Sequence, residues 1–349
     1  MKTIFKKILL LLTLGILFIS CKKYKDEFYG PGLGVAPDDF TASALVASNS
    51  NPNFATQTVN FQSTFNATVR WKLTLVGQTS GAIKIISGLS NSLSAANCVW
   101  DGSTDTLKLF RKNETVVATL TALGWKNNLS TSITIGAEKK RGYVLGTFEG
   151  ITVDHTAKNW LDASGYYWFY SFETGEYDLV DKIADPTTPQ GSNALKIVGH
   201  DANTSYYIGQ VGLSAPAGVF NFGTTVLNDF YFNLYVKGSG KAANKDYKYV
   251  IQVFEDDNGG GILYDGSEDK FTYTIPLQYD GWKLFRVKYS DFALDAAAAA
   301  SPYKDHNPDK IANIGFFFGA NTAAGLSSTD QIIVEMDHFS ITTDGPMIP

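Results

Sequence analysis

Residues 229–237, DFYFNLYVK, alternate between two kinds of side chain. In an extended strand, successive side chains point to opposite faces. Phe230, Phe232, Leu234 and Val236 therefore share one face, which must be the core. Tyr231, Asn233, Tyr235 and Lys237 share the other. A Tyr-Asn-Tyr-Lys face suits a saccharide, because flat rings stack on apolar C–H faces while amide and ammonium groups meet the hydroxyls. It suits ordinary cross-strand packing as well. In 247–254, Tyr249, Ile251 and Val253 take one face and Lys248, Val250, Gln252 and Phe254 the other. In 205–212, Tyr207 and Gln210 fall on opposite faces, and parity leaves open which of them meets solvent. Tyr166-Tyr167-Trp168 follow Gly165 and read either as an exposed aromatic cluster or as a first buried strand. The candidate ligand-binding residues are thus Tyr231, Asn233, Tyr235, Gln252, Tyr207 and Trp168.

Catalytic patterns are scarce. His155, His200, His306 and His338 show no metal-ligand spacing, and His338 reads as a surface residue on an edge strand. There is no G-x-S-x-G elbow and no glycine-rich phosphate loop after a strand. Asp256-Asp257-Asn258-Gly259 is acidic, reads as a hairpin turn and lacks the spacing of a calcium-binding loop. Cys98, in NCVWDG, reads as a small buried thiol. Trp282, after Asp280-Gly281, reads as structural.

The elements that must position these residues are strands. Helical periodicity is nearly absent, and alternating segments recur between Gly, Asn, Asp and Ser. The expected class is all-β: an N-terminal immunoglobulin-like β-sandwich over 41–142 and a C-terminal jelly-roll β-sandwich over 145–349. Strands of the first are expected at 58–65, 68–76, 82–87, 106–110, 114–120 and 131–136. The alanine run within 294–300 is expected to be a loop with one helical turn. A chain of 349 residues with 44% hydrophobic residues supports two packed cores. Net charge is −5, so no electrostatic footprint for nucleic acid is present. Two cysteines, one of them at position 21, leave no internal disulfide framework.

The chain opens MKTIFKKILLLLTLGILFISC. A basic start, a short apolar run and Ser20-Cys21 form a secretory signal rather than a membrane span. The end of the run resembles a lipobox. That resemblance implies cleavage before Cys21 and a lipid on its sulfur, anchoring the chain to a membrane. Residues 22–40 read as a flexible tether. Lys25-Asp26-Glu27 resembles the signal that sends some outer-membrane lipoproteins to the cell surface, so an outer-membrane, surface-exposed location is expected.

The segment at 69–73 and WDGSTDTLKLFRKNETVVATLTA from Trp100 resemble the immunoglobulin-like module of hook-cap and adhesin proteins. Further on, YSFETGEYDLVDKIAD, GSNALKIVG, DFYFNLYVKGSG, YDGWKLFRVKYSDFALD and IIVEMDHFSI follow one another. In that order they resemble carbohydrate-binding modules with a galactose-binding-like jelly roll. The resemblance implies polysaccharide binding without catalysis, alongside an outer-membrane glycan transporter complex. In such modules a structural calcium joins an opening acid to a closing aspartate, which implies Glu173 and Asp337 here. A surface adhesin for a protein partner and an unrecognised polysaccharide hydrolase or lyase are the competing expectations.

Overall fold

The computed structural model describes residues 34–172, 177–200, 207–223, 226–239, 247–261, 263, 266–320 and 331–349. The signal segment, Cys21 and Glu173 lie outside them. The described chain is all-β, built from strands and short 3-10 turns, in β-sandwich architecture. It contains two large apolar cores, one drawn from residues between Ala36 and Ile135 and one from residues between Leu145 and Ile341.

Six strands enclose the first core: β1 (Val46–Ala47), β2 (Val59–Gly77), β3 (Ile83–Leu93), β4 (Val99–Trp100), β5 (Thr115–Ala122) and β6 (Leu129–Thr134). The two strands expected at 58–65 and 68–76 are one. β2 keeps an alternating pattern through Asn66-Ala67, so nothing forces a break. Its register against β3 shifts between Thr64 and Val69, which bends it around the core. Near its start β2 pairs with β1 and β4, from Ser63 to Val76 with β3 on both sides of that shift, and from Trp71 with β5. The Thr134 amide donates to Ser50 O at 2.9 Å, so the far end of the sheet returns to the segment after β1. Cys98 is buried in this core, and burial pushes its thiol up to about 12, as an inert packing residue requires.

The strand expected at 106–110 does not form. Thr106 N bonds locally to Thr104 Oγ1, and the residues after it bond outward to the second unit instead of along a ladder: Leu109 N donates to Pro189 O at 2.8 Å and Lys108 Nζ to Pro186 O at 2.8 Å.

The second unit is a two-sheet sandwich. One sheet, here the junction sheet, runs β10 (Tyr177–Ala184), β11 (Asn193–His200), β19 (Gln331–Thr342), β13 (Tyr231–Ser239), β16 (Asp280–Lys288), with β7 (Tyr143–Gly146) also on β19. The other, the outer sheet, runs β17 (Ala293–Leu294), β15 (Lys270–Ile275), β14 (Tyr247–Glu255), β18 (Ile311–Ala320), β12 (Tyr207–Ser214), β9 (Tyr167–Phe172), β8 (Asn159–Leu161). All the paired strands are antiparallel. Between the sheets lie Phe230, Phe232, Leu234 and Val236 of the junction side, with Tyr249, Ile251, Phe316 and Phe318 of the outer side. The alanine run is a loop with one 3-10 turn, Ala296–Ala298, capped by the Asp295 side chain, as its position between strands predicts.

Candidate functional site

On β13 the alternation holds, but the second face is not solvent. Tyr235 and Asn233 are 0% exposed. Tyr235 packs in a third apolar cluster with Leu109 of the first unit, Ala194, Trp282 and Met347. The cause is the chain end. After β19 it folds back, and Gly345 N donates to Asp229 O at 3.0 Å while Thr104 N donates to Pro349 O at 2.8 Å. The Asn233 amide is consumed in holding this tail: Met347 N donates to its Oδ1 at 3.1 Å, and its Nδ2 donates to Thr342 Oγ1 at 3.0 Å. Lys237 is tied to Asp185 at 2.7 Å and Glu335 at 2.9 Å. The expected sugar face of Tyr231, Asn233 and Tyr235 is therefore a junction, with only Tyr231 partly exposed.

Two further expectations change. Trp168 is not a ligand platform. It is a core residue, stacked 5.9 Å from both Trp160 and Phe316, with its indole N–H donating to Leu145 O at 3.0 Å. Its neighbour Tyr167 is the exposed member, at 67%. His338 is not on an edge. β19 is flanked by β11 and β13, and burial pushes the His338 imidazole down to about 3. Trp282 is structural, as expected, with its indole N–H donating to Thr187 Oγ1 at 3.1 Å.

The outer sheet carries a different face. Gly212 pairs with Gly315, Gly315 with Gln252, and Gly212 with Phe169. This row gives an aromatic ring, a floor of two glycines and an amide across four strands, about 15 Å at ~4.8 Å per strand step. A Cβ on Gly212 would lie 3.2 Å from Phe169 Cζ, so the ring already leans over that floor. The next row is Ser171, Gln210, Phe317 and Val250. Tyr207 joins it, because its ring lies 5.5 Å from Phe317. A register shift between Tyr207 and Gly209 carries Tyr207 to the face of Gln210, which parity alone had separated. The floor residues Gln252 and Phe317 are each 8% exposed, whereas Phe169, Gln210 and Tyr207 are half-buried and Ser171 is exposed, which is the profile of a trough. Two of the six expected residues, Gln252 and Tyr207, meet here. Gln210, whose orientation parity left open, joins them, whereas Phe169 and Phe317 were missed, though Phe169 sits inside the aromatic run at 166–170.

Carboxylates gather at two places. Asp337 is fully buried; its Oδ2 accepts from Gln190 N at 2.7 Å, while its Oδ1 and the Gln190 Oε1 have no hydrogen-bond partner. Burial first, and then the charge of Glu149, hold Asp337 well above the usual carboxylate range. Glu149 accepts from the amides of Ser192 and Asn193 at 2.7 Å each. Glu173, the acid expected to join Asp337, lies outside the described residues, and Glu149, which follows Phe148 as Glu173 follows Phe172, is the acid whose charge acts on Asp337 here. Buried, unpartnered oxygens next to a second acid fit the oxygen ligands that a hard cation takes.

The second group is Glu255, Asp257 and Asp269, in which one oxygen from each lies within 4.8 Å of the others, so it can hold a metal ion. Burial pushes the Glu255 carboxyl up to about 9, against hydrogen bonds from the Tyr289 hydroxyl and the Asn307 amide. Burial and then the Asp269 charge push Asp257 up to about 6.

No family model matches the chain, and no curated protein matches it. Solved structures do. A carbohydrate-binding module of promiscuous specificity from the β-sandwich superfamily is 10% identical and has a TM-score of 0.35; 89% of this chain and 99% of that one are covered. SGBP-B from a complex xyloglucan utilization locus in Bacteroides uniformis is 12% identical with a TM-score of 0.35, covering 88% of this chain and 74% of that one. A carbohydrate-binding module specific for non-crystalline cellulose is 15% identical with a TM-score of 0.33, covering 58% of this chain and 95% of that one. Likeness at this level fixes neither family nor ligand.

Proposed function

We propose that the protein is a non-catalytic surface lipoprotein that binds a polysaccharide in the trough of its outer sheet. The observation that carries this reading is the row Phe169–Gly212–Gly315–Gln252, with Tyr207, Gln210 and Phe317 beside it. Glycines let a sugar ring approach the backbone, aromatic rings offer apolar faces to its C–H groups, and the two glutamines offer both donors and acceptors to its hydroxyls. In this proposal the lipid on Cys21 holds the chain to the outer membrane, facing outward. The first unit serves as an immunoglobulin-like spacer, and the captured glycan passes to a transporter complex. Many weak sites on one surface gain avidity without new contacts. One structural calcium is proposed at Asp337 and Glu149, with the Gln190 side chain completing the oxygen set.

The test is electrophoresis of the purified protein through gels containing single polysaccharides, with and without EDTA. The expected result is retardation by one polysaccharide class, with no new reducing ends released from it. Equal mobility in every gel, from protein shown to be folded by circular dichroism, would remove the proposal.

A further inference from the structure

The group formed by Glu255, Asp257 and Asp269 belongs to neither the trough nor the Asp337 region. Glu255 ends β14, Asp257 lies in the connection after it, and Asp269 immediately precedes β15, so all three sit at the β14–β15 connection of the outer sheet. Asp337 is on β19 of the junction sheet. Each of the three acids has a buried oxygen without a hydrogen-bond partner: Glu255 Oε2, Asp257 Oδ2 and Asp269 Oδ1. For Glu255 and Asp269 the other oxygen is satisfied. Glu255 Oε1 accepts from the Tyr289 hydroxyl at 2.5 Å and from Asn307 N at 2.7 Å. Asp269 Oδ2 accepts from Asp305 N at 3.0 Å.

Among the described residues no Lys, Arg or His forms an ion pair with any of the three. Lys310, the nearby cation, donates to the Asp257 carbonyl at 3.0 Å. Leaving two buried carboxylates and a third, partly buried one together without a counter-charge is strongly unfavourable. Sugar chemistry does not explain them, because Glu255 and Asp269 are fully buried and cannot touch a glycan.

We propose that Glu255, Asp257 and Asp269 hold a second divalent cation, calcium by its ligand chemistry, which ties the β14–β15 hairpin to the loop before β18. Two oxygens bound to one calcium at about 2.4 Å can lie at most about 4.8 Å apart, and the three acids meet that limit. The ligands are all hard oxygens, with no sulfur or imidazole among them. Asp257 is only partly buried, which leaves a side for water to complete the coordination. Because Glu255 and Asp269 also hold the amides of Asn307 and Asp305, the ion would organise that loop through its own ligands. The proposal does not depend on the sugar reading, since none of the three acids lines the trough.

The test uses the purified protein stripped with chelator and then titrated with calcium or terbium, alongside Asp257→Asn, Asp269→Asn and Asp337→Asn. Tyr289, bonded to Glu255, is the donor for sensitised terbium emission. The expected result is calcium-displaceable emission that persists in Asp337→Asn, and a calcium affinity at this site about tenfold or more weaker in Asp257→Asn. If Asp337→Asn does not fold, Glu149→Gln replaces it. If Asp269→Asn does not fold, Asp257→Asn decides, since its carboxylate is partly exposed. Wild-type stoichiometry and affinity in Asp257→Asn, or loss of all calcium binding in the folded Asp337→Asn or Glu149→Gln variant, would overturn the proposal.

Discussion

The two outward faces of the second unit have similar compositions and opposite fates. On the junction sheet Tyr235, Asn233 and Trp282 are sealed by Leu109 and by the returning tail at Met347. On the outer sheet Phe169, Gln210 and Tyr207 flank a glycine floor, and the hydrogen bonds named above between the two units all lie elsewhere. Aromatic and amide side chains do not by themselves make a binding face. What decides is whether another part of the chain occupies it first.

The comparison can be broken by substitution. Trp282→Ala opens the junction cluster and should lower stability by about 3–5 kcal/mol in urea titration, leaving polysaccharide affinity of the folded protein unchanged. Asn233→Ala strands the Met347 amide, while the Thr342 hydroxyl keeps its bond to the Gly345 carbonyl, and should lower stability by about 1–3 kcal/mol. Limited proteolysis of the tail should rise with it. Phe169→Ala should behave oppositely. Loss of one stacking ring weakens sugar binding by about 0.5–1.5 kcal/mol, read by calorimetry, with a smaller change in melting temperature than Trp282→Ala produces.

A smaller effect is expected with acid. Burial opposes ionisation of Asp185, but hydrogen bonds from Lys237 and Thr187 outweigh it and hold the carboxyl down to about 2. The folded state then binds fewer protons than the unfolded one, so this pair stabilises above about pH 4 and its contribution is lost as pH falls toward 2. Lys237→Met should flatten that part of the stability profile. The smallest effect is expected for Tyr235→Phe. The Tyr235 hydroxyl is buried without a partner, so its removal should be neutral or slightly stabilising.

Much of the fold was legible because period-2 alternation is a local property. It separated Phe230, Phe232, Leu234 and Val236 from Tyr231, Asn233 and Tyr235 correctly. It could not say what covers the second set, because the tail that does so returns from more than 100 residues away. A bulge is equally invisible: the shift between Tyr207 and Gly209 reversed the predicted relation of Tyr207 to Gln210. The strand assigned to 106–110 failed for the same reason, since its partners are Pro186 and Pro189 of the other unit. The acid cluster escaped because its members come from the two ends of a hairpin connection, whereas Asp256-Asp257-Asn258-Gly259 was judged as one loop.

The most direct test of the account compares polysaccharide affinity in three folded proteins: wild type, Phe169→Ala combined with Tyr207→Ala, and Tyr235→Phe. Binding by wild type and Tyr235→Phe alike, with loss in the double variant, is the predicted result. Undiminished binding by the double variant would contradict the placement of the site on the outer sheet.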